Sequence, residues 1–242
     1  MIIVKVKKQK KSRNSLYNMS IAQNLLKIKS TLPSTVTLVA VSKTKPISDL
    51  MEAYDAGQRI FGENKIQEMA EKWEAMPKDI EWHMIGHVQT NKVKFMAQFV
   101  SLIHGVDSLK LLEEINKQAQ KNNRIIDCLL QVYIAEEESK FGLDEDELNE
   151  ILHFVQNDKN GMKNIRIVGL MGMATFTDNQ NQIKKEFTHL KSIFNKYAIG
   201  TDAINRVSTL QTTSMGMSGD YQLAIECGST MVRIGSSIFG GR

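Results

Sequence analysis

The most constraining feature of this 242-residue sequence is an eightfold alternation between short apolar runs and segments with helical spacing. The apolar runs have the length of strands, and the intervening segments carry apolar residues three and four positions apart. Eight such repeats in a chain of this size predict a single (β/α)₈ barrel. A doubly wound open sheet is the alternative architecture. The predicted strands are 37–43, 59–64, 81–86, 99–106, 124–134, 165–173, 207–214 and 231–235.

The predicted helices fill the intervals between these strands, and no stretch of the chain has the composition of a linker. Gly57 is placed to end the second helix as a C-terminal cap. The apolar fraction of 42% and the charged fraction of 24% are typical of a globular protein. No apolar run approaches the ~20 residues that cross a bilayer. The predicted helices are 21–28, 47–54, 66–73, 88–96, 109–119, 144–155, 181–197 and 219–227.

The first 18 residues differ from the rest of the chain in charge. They hold six of the 31 basic residues and no acidic residue, which leaves 25 basic and 27 acidic residues in the body of the chain. This segment lacks the apolar region of a secretory signal and shows no clear amphipathic helix. We expect a disordered basic extension over residues 1–18 and one folded domain over 19–242. A near-neutral body with 7% aromatic residues gives little support to nucleic-acid binding.

Neither the cysteines nor the histidines have the spacing of a metal site. Cys128 and Cys227 lie far apart without a C-x-x-C motif, which is typical of a reducing cytosol and predicts no disulfide or zinc site. His83 and His87 would share a face of a helix, but here a predicted strand runs into a loop at Gly86. We therefore expect no bound metal, with His83 inside the barrel and His87 as a loop donor.

The first predicted strand ends in a pair of lysines. Within the stretch 37–46, side chains alternate along the strand, so Lys43 shares a face with Val39 and Val41. A lysine at the carboxyl end of a buried strand loses hydration, and the lower pKa that follows favours Schiff-base chemistry. The alternative interpretation is that Lys43 and Lys45 are two solvated lysines at a strand end.

Two loops near the end of the chain have the composition of anion-binding sites. Residues 214–220 are rich in serine and glycine and open a helix, so their backbone N–H groups can face an anion. Residues 235–237 follow the last strand, where barrels often bind phosphate. Ordinary turns and helix caps are the alternative for each loop. Together with a lysine after the first strand, they suggest pyridoxal phosphate or a sugar-phosphate Schiff base.

The motifs taken together resemble the pyridoxal phosphate homeostasis family, the YggS/PROSC proteins. The similarity runs in family order from about residue 19 to the C-terminus. Residues 1–18 have no counterpart, and residues 211–213 are more polar than is usual before the S-x-G-M-S motif, which leaves the register of that strand open. The matching segments are 39–46, 61–64, 82–86, 89–92, 169–171, 214–218 and 228–235.

The resemblance implies a barrel of the alanine racemase N-terminal type with pyridoxal phosphate attached to Lys43 as a Schiff base. It implies that Arg233 lies near the pyridine nitrogen and that Asn64 and Met217 line the ring pocket. The phosphate is implied to lie in the two serine- and glycine-rich loops. The residues of those loops that we assign to the cofactor site are Ser214, Ser218, Gly235 and Ser236.

The implied function is a non-catalytic, cytoplasmic carrier of pyridoxal phosphate that serves intracellular vitamin B6 homeostasis. A pyridoxal phosphate-dependent amino-acid racemase is the alternative. Arg233 disfavours a protonated ring nitrogen, and the sequence ends at Arg242 without the extra domain that supplies a catalytic tyrosine in alanine racemase. We expect a monomer whose partners are the cofactor and recipient apo-enzymes, with no nucleic-acid or membrane partner.

Overall fold

The computed structural model describes residues 19–137, 141–157, 162–198 and 210–241. Within these residues, eight parallel strands form a closed barrel in which β1 pairs with both β2 and β8. The predicted barrel is confirmed, and the open sheet is excluded because β1 and β8 close the ring. The predicted extension 1–18 lies outside the described residues. The strands are β1 (Thr37–Val41), β2 (Ile60–Glu63), β3 (Glu81–Met84), β4 (Val100–Val106), β5 (Ile126–Gln131), β6 (Ile165–Met171), β7 (Thr212–Met217) and β8 (Met231–Ile234).

The helices surround the barrel, and their buried residues recur at helical spacing. In α4, for example, Leu111, Leu112, Ile115 and Ala119 face the barrel. None of the described helices is both long and apolar enough to cross a membrane. The helices are α1 (Ile21–Thr31), α2 (Ile47–Asp55), α3 (Ile66–Ala75), α4 (Leu109–Lys121), α5 (Glu145–Asn157), α6 (Gln180–Ala198), α7 (Tyr221–Glu226) and α8 (Ser236–Phe239).

Two helices differ between the prediction and the structure. The α-helix predicted over 88–96 is wrong, because Thr90–Phe95 forms a 3₁₀ helix. No side chain caps its first turn, and the short segment tightens into hydrogen bonds between residues three apart, such as that from the Met96 N–H to the Val93 carbonyl. The short helix α8 is absent from the prediction, since four residues carry no readable period.

The barrel has an inner and an outer apolar core, as the alternation of strand side chains requires. Val39 faces the inner core, while its neighbours Leu38 and Ala40 face the larger core between sheet and helices. The strand alternation predicted for β1 is therefore confirmed up to Val41, where the strand ends two residues earlier than predicted. The other residues of the inner core are Leu102, Leu129, Met171 and Met231.

The seventh strand begins five residues later and ends three residues later than predicted. The prediction over 207–214 is wrong in its bounds, because β7 runs from Thr212 to Met217, and residues 207–209 lie outside the described part of the chain. Gly216 has φ +96°, and a Cβ there would lie 2.6 Å from Ala224 Cβ. Only glycine suits this close, left-handed position, which interrupts the pairing with β8 between Ser214 and Met217.

Candidate functional site

The candidate residues gather at the carboxyl-terminal mouth of the barrel. Lys43 follows β1, Asn64 follows β2, Ser218 follows β7, and Gly235 and Ser236 follow β8. Since β7, β8, β1 and β2 are consecutive in the closed sheet, these residues lie on one side of the mouth. This is the position at which barrels of this kind carry their functional groups.

Lys43 lies in a turn rather than on the strand itself. The N–H of Lys45 donates to the carbonyl of Ser42 at 3.1 Å, and Thr44 adopts φ +63°, which is uncommon for a β-branched residue. The side chain of Lys43 is half-buried. The turn therefore places Lys43 just beyond the end of β1, at the mouth of the barrel.

The second lysine of the pair has a different role. The ammonium of Lys45 donates to the carbonyl oxygens of Phe239 and Gly241 at 2.9 Å each. These carbonyls lie at the end of α8, where a cation satisfies otherwise unpaired acceptors. Lys45 is thus bound to the C-terminal segment, so the alternative of two solvated lysines does not hold for Lys45.

Arg233 is buried inside the barrel, with 4% of its surface exposed. Its Nη1 donates to the carbonyl oxygen of Ser214 at 2.8 Å and to the hydroxyl oxygen at 2.6 Å, and its Nη2 donates to the carbonyl of Gly172 at 3.2 Å. Burial lowers the pKa of Arg233 to about 10, although the carboxylate of Asp220 opposes the shift. The guanidinium therefore remains a cation at neutral pH.

Ser214 lies within β7, three residues before its end, rather than at the junction of strand and loop where the prediction placed it. Its side chain is fully buried, and its hydroxyl lies 3.1 Å from His104 Nδ1 as well as beside Arg233. His104 Nε2 in turn lies 3.1 Å from His83 Nδ1. Ser214 therefore contributes to the support of Arg233, through a buried polar chain that crosses the interior of the barrel.

The two histidines of this buried polar chain, His83 and His104, are neutral. Burial lowers the pKa of His83 to about 3 and lowers that of His104 well below its usual value, with further effects on His104 from His83 and Arg233. His83 lies inside the barrel, as predicted, and the 63% exposed side chain of His87 contacts Asp107. His104 is not among the predicted residues. It lies two residues after Leu102 in an apolar strand and therefore on the same inward face, and a polar residue at such a position could have indicated it.

The loops after β7 and β8 meet each other, as their predicted phosphate role requires. The backbone N–H of Gly235 donates to Ser218 Oγ at 3.2 Å. A Cβ at Gly235 would lie 3.0 Å from the Val41 carbonyl, so a larger residue would disturb the junction with β1. Ser236 is exposed at the first position of α8, and Met217, at the end of β7, is 37% exposed.

Asn64 lies in the bend after β2 and is half-buried. The turn after β3 leaves room for this bend because it carries Gly86. A Cβ at Gly86 would lie 2.7 Å from the carbonyl oxygen of Asn64. The glycine of the W-H-M-I-G segment is therefore required by the approach of the Asn64 backbone.

A buried ionic network lies against the Lys43 turn, and the sequence analysis noted only the polar pair that ends β2. Glu63 Oε1 accepts from Ser42 Oγ at 2.6 Å and from Lys72 Nζ at 2.7 Å. Lys72 also donates to Glu68 Oε1 at 2.8 Å. Burial raises the pKa of Glu63, while the hydrogen bonds from Lys72 and Ser42 oppose the shift.

The opposite mouth of the barrel holds a cavity of about 560 Å³. Its charged lining residues are Glu81, Asp127 and Arg166. Arg166 and Asp127 form a bidentate pair at 2.7 and 2.8 Å, so these two charges satisfy each other. The described residues also contain no group of three or more potential metal ligands.

The fold and the site define a (β/α)₈ barrel of the alanine racemase N-terminal class. The family model for the alanine racemase N-terminal domain matches residues 18–242. The chain is 38% identical over 208 residues to the pyridoxal phosphate homeostasis protein of Aquifex aeolicus, covering 85% of this chain and 86% of that protein. It is 36% identical over 215 residues to the protein of the same name from Escherichia coli (strain K12), covering 87% of each. The chain belongs to the pyridoxal phosphate homeostasis protein family.

Solved structures show the same relationship. PipY of Synechococcus elongatus, with PLP bound, has a TM-score of 0.80 at 32% identity and covers 91% of this chain and 100% of that one. Alanine racemase from E. faecalis has a TM-score of 0.71 at 17% identity and covers 92% of this chain and 58% of that one. The second comparison shows the shared barrel fold alone.

Proposed function

We propose that this protein binds pyridoxal 5′-phosphate through a Schiff base on Lys43 and serves vitamin B6 homeostasis as a carrier, without efficient catalysis. The observation that carries the proposal is the place of Lys43, whose turn follows β1 at the barrel mouth, next to β8 and the Gly235 loop. The side chain of the neighbouring Lys45 reaches the C-terminal carbonyls of Phe239 and Gly241. The names of the relatives and the PLP-bound PipY structure support the choice of cofactor.

The residues at the mouth suit the parts of this cofactor. Ser218, Gly235 and Ser236 would hold the phosphate, with hydroxyl and backbone N–H donors from two loops that already touch. Bound pyridoxal phosphate supplies an aldehyde, with which an amine such as that of Lys43 condenses and releases water. The close approach of Gly235 to the first strand brings the phosphate loop to the side of the barrel that carries Lys43.

Arg233, Asn64 and Met217 would surround the pyridine ring. The buried guanidinium of Arg233 would face the ring nitrogen and, as a permanent cation, disfavour its protonation. A ring nitrogen without a proton makes the cofactor a weaker electron sink, which disfavours amino-acid chemistry. Asn64 and the partly exposed Met217 would border the ring from the ends of β2 and β7.

The described tyrosines give little support to the alternative, a racemase. Racemisation requires a proton donor or acceptor on each face of the substrate, and each is worth roughly 10²–10⁴-fold in rate. The hydroxyls of Tyr54 and Tyr197 bond to Asp79 and Asn149, away from the barrel mouth. Tyr133, in the loop after β5, donates to the carbonyl of Glu137 at 3.0 Å, and Tyr221 lies 3.5 Å from Thr31.

The experiment for the proposed function is a titration with pyridoxal phosphate followed by absorbance. The wild-type protein and Lys45→Ala should develop the absorbance of a Schiff base, whereas Lys43→Ala should remain folded and not develop it. A wild-type protein that does not bind the cofactor, or a Schiff-base absorbance that persists in Lys43→Ala, would contradict the proposal. Solvent-deuterium exchange at Cα of L-alanine tests the alternative, since turnover of about 1–10³ per second would identify an enzyme.

The same proposal extends to the domain bounds, the oligomeric state and the recipients of the cofactor. We propose that residues 19–242 form the cofactor-binding domain and that residues 1–18 are dispensable for it. The carrier would act as a monomer in the cytoplasm and deliver pyridoxal phosphate to apo-enzymes that require it. The capping box at Ser20, which is closed by Gln23, lies within the proposed domain and completes its first helix.

A further inference from the structure

A buried ionic network holds the turn that carries Lys43. We call Ser42, Glu63, Glu68 and Lys72 the Lys72 network. The Lys72 ammonium donates to Glu63 at 2.7 Å, to Glu68 at 2.8 Å and to the carbonyl oxygen of Ser42 at 2.8 Å. An ammonium has three protons to donate, so all of them are used here. Lys72 is therefore committed to this network and is not a second attachment site for a ligand.

The network holds the backbone on both sides of Lys43. On one side, the Ser42 hydroxyl donates to Glu63 at 2.6 Å, and the Ser42 carbonyl accepts from Lys72. On the other side, the N–H of Thr44 donates to Glu68 Oε1 at 2.6 Å. Thr44 is in the left-handed region at φ +63°, a conformation that persists only where the surroundings enforce it.

The composition of the network indicates a purpose other than stability. Glu63 is fully buried and Lys72 is 5% exposed. The second carboxylate oxygen of Glu63, Oε2, has no hydrogen-bond partner among the described residues. Buried ion pairs with unsatisfied atoms stabilise a fold poorly, and apolar residues of similar volume often replace them without loss. What the network does supply is one fixed backbone conformation around Lys43.

We propose that the Lys72 network is a positioning device that sets Lys43 for attack on the aldehyde of pyridoxal phosphate. The inference rests on the proposed function, in which Lys43 forms the Schiff base. Because Glu63 ends β2 and Lys72 lies in α3, the network ties the Lys43 turn to two rigid elements of the barrel. A turn held in this way fixes the backbone from which the Lys43 amine extends before the cofactor arrives, so that less conformational freedom is lost on binding.

The test uses variants of Glu68, whose side chain is 22% exposed and can be changed with limited damage to the core. Glu68→Ala removes the acceptor for the Thr44 N–H, whereas Glu68→Gln retains an oxygen in its place. Glu71→Ala is the matched control, because Glu71 is an exposed carboxylate on the same helix. The probes are pyridoxal 5′-phosphate and pyridoxine 5′-phosphate, whose alcohol replaces the aldehyde and forms no Schiff base.

Glu68→Ala should weaken pyridoxal phosphate binding and slow Schiff-base formation by about tenfold or more, since the shared acceptor of the Thr44 N–H and the Lys72 ammonium is lost. Its affinity for pyridoxine phosphate should stay within about twofold of wild type, because the phosphate and ring contacts remain. Glu68→Gln, which keeps an oxygen acceptor without the charge, should lose less than Glu68→Ala, and Glu71→Ala should behave like the wild type. Ser42→Ala, which removes the donor to Glu63, should change binding in the same direction as Glu68→Ala.

Equal losses for both ligands, or wild-type rates of Schiff-base formation in Glu68→Ala and Ser42→Ala, would overturn the positioning role. Thermal unfolding of each variant separates a loss of fold from a loss of positioning. If the wild type itself forms no Schiff base at Lys43, the proposed function fails and this inference fails with it. A wild type that is modified at Lys43, with variants that react equally fast, contradicts the positioning role alone.

Discussion

Arg233 donates from one guanidinium nitrogen to both the carbonyl and the hydroxyl oxygen of Ser214, at 2.8 and 2.6 Å. The same hydroxyl lies 3.1 Å from His104 Nδ1, so it serves two polar groups at once. An arginine has only donors, which means that the Ser214 hydroxyl accepts from Arg233 and can donate its own proton to His104. A buried cation below the barrel mouth is in this way fixed by a neighbouring strand.

Removal of the Ser214 hydroxyl should destabilise the protein. Ser214→Ala leaves His104 Nδ1 and one bond of Arg233 without this partner in a fully buried place, which should cost about 1–3 kcal/mol of unfolding free energy. Urea unfolding at neutral pH measures the change. Ser218→Ala is the control, because Ser218 is only partly buried and its hydroxyl accepts from a single backbone N–H. A Ser214→Ala variant as stable as wild type would contradict the role assigned to this contact.

The phosphate loops should distinguish between two forms of the vitamin. Removal of one donor to a phosphate typically costs ~1.5–3 kcal/mol, or about tenfold to a hundredfold in affinity. Ser218→Ala and Ser236→Ala should each weaken the binding of pyridoxal phosphate by that amount and affect unphosphorylated pyridoxal much less. Titration calorimetry with both ligands measures the difference. Equal losses for the two ligands would show that these loops do not hold the phosphate.

Acid should destabilise the fold through its buried histidines. Because burial lowers the folded-state pKa of His83 to about 3, the unfolded chain takes up protons first as the pH falls below about 6.5. The stability contributed by a neutral His83 is complete above that pH and is lost progressively toward pH 3. Between pH 7.5 and 5.5 the loss should be about 1.4 kcal/mol for His83, and the lowered pKa of His104 acts in the same direction.

The variant His83→Gln isolates this effect, because glutamine keeps hydrogen-bonding groups without a titration in this range. Its unfolding free energy should fall less than that of the wild type between pH 7.5 and 5.5, by about 1.4 kcal/mol. His153→Gln, which changes an exposed histidine on α5, is the control and should follow the wild type. Identical pH profiles for the wild type and His83→Gln would show that His83 is not held neutral by burial.

The barrel could be predicted from the sequence because each strand and helix carries its own period, and eight repeats leave few architectures to choose from. The position of β7 could not, because the turn at Gly216 depends on Ala224 and Tyr221, which come close only in the folded chain. The helix predicted after β3 failed for a related reason: an apolar spacing at Val93, Met96 and Ala97 fits a 3₁₀ turn as well as an α-helix.

Candidate site residues could be named from the sequence where a motif carried them, whereas groups that only tertiary contacts bring together could not. Lys43, Ser218 and Gly235 stand at strand ends, and a strand end can be read from the chain. Apart from the Glu68–Lys72 pair, which is four positions apart, the Lys72 network and the pair of His104 with Ser214 join residues 9 to 110 positions apart. No local pattern predicts these distant pairs. The signal in the sequence that could have indicated these groups was the presence of polar residues within apolar segments.

The central claim is that Lys43, and not Lys45, carries the cofactor. The measurement is reduction of the pyridoxal phosphate-loaded protein with borohydride, followed by proteolysis and mass mapping of the modified peptide. The pyridoxyl group should lie on Lys43 and should be absent from Lys43→Ala, while Lys45→Ala should be modified as the wild type is. A modification on Lys45, or on Lys43→Ala at any lysine to the same extent, would contradict the assignment.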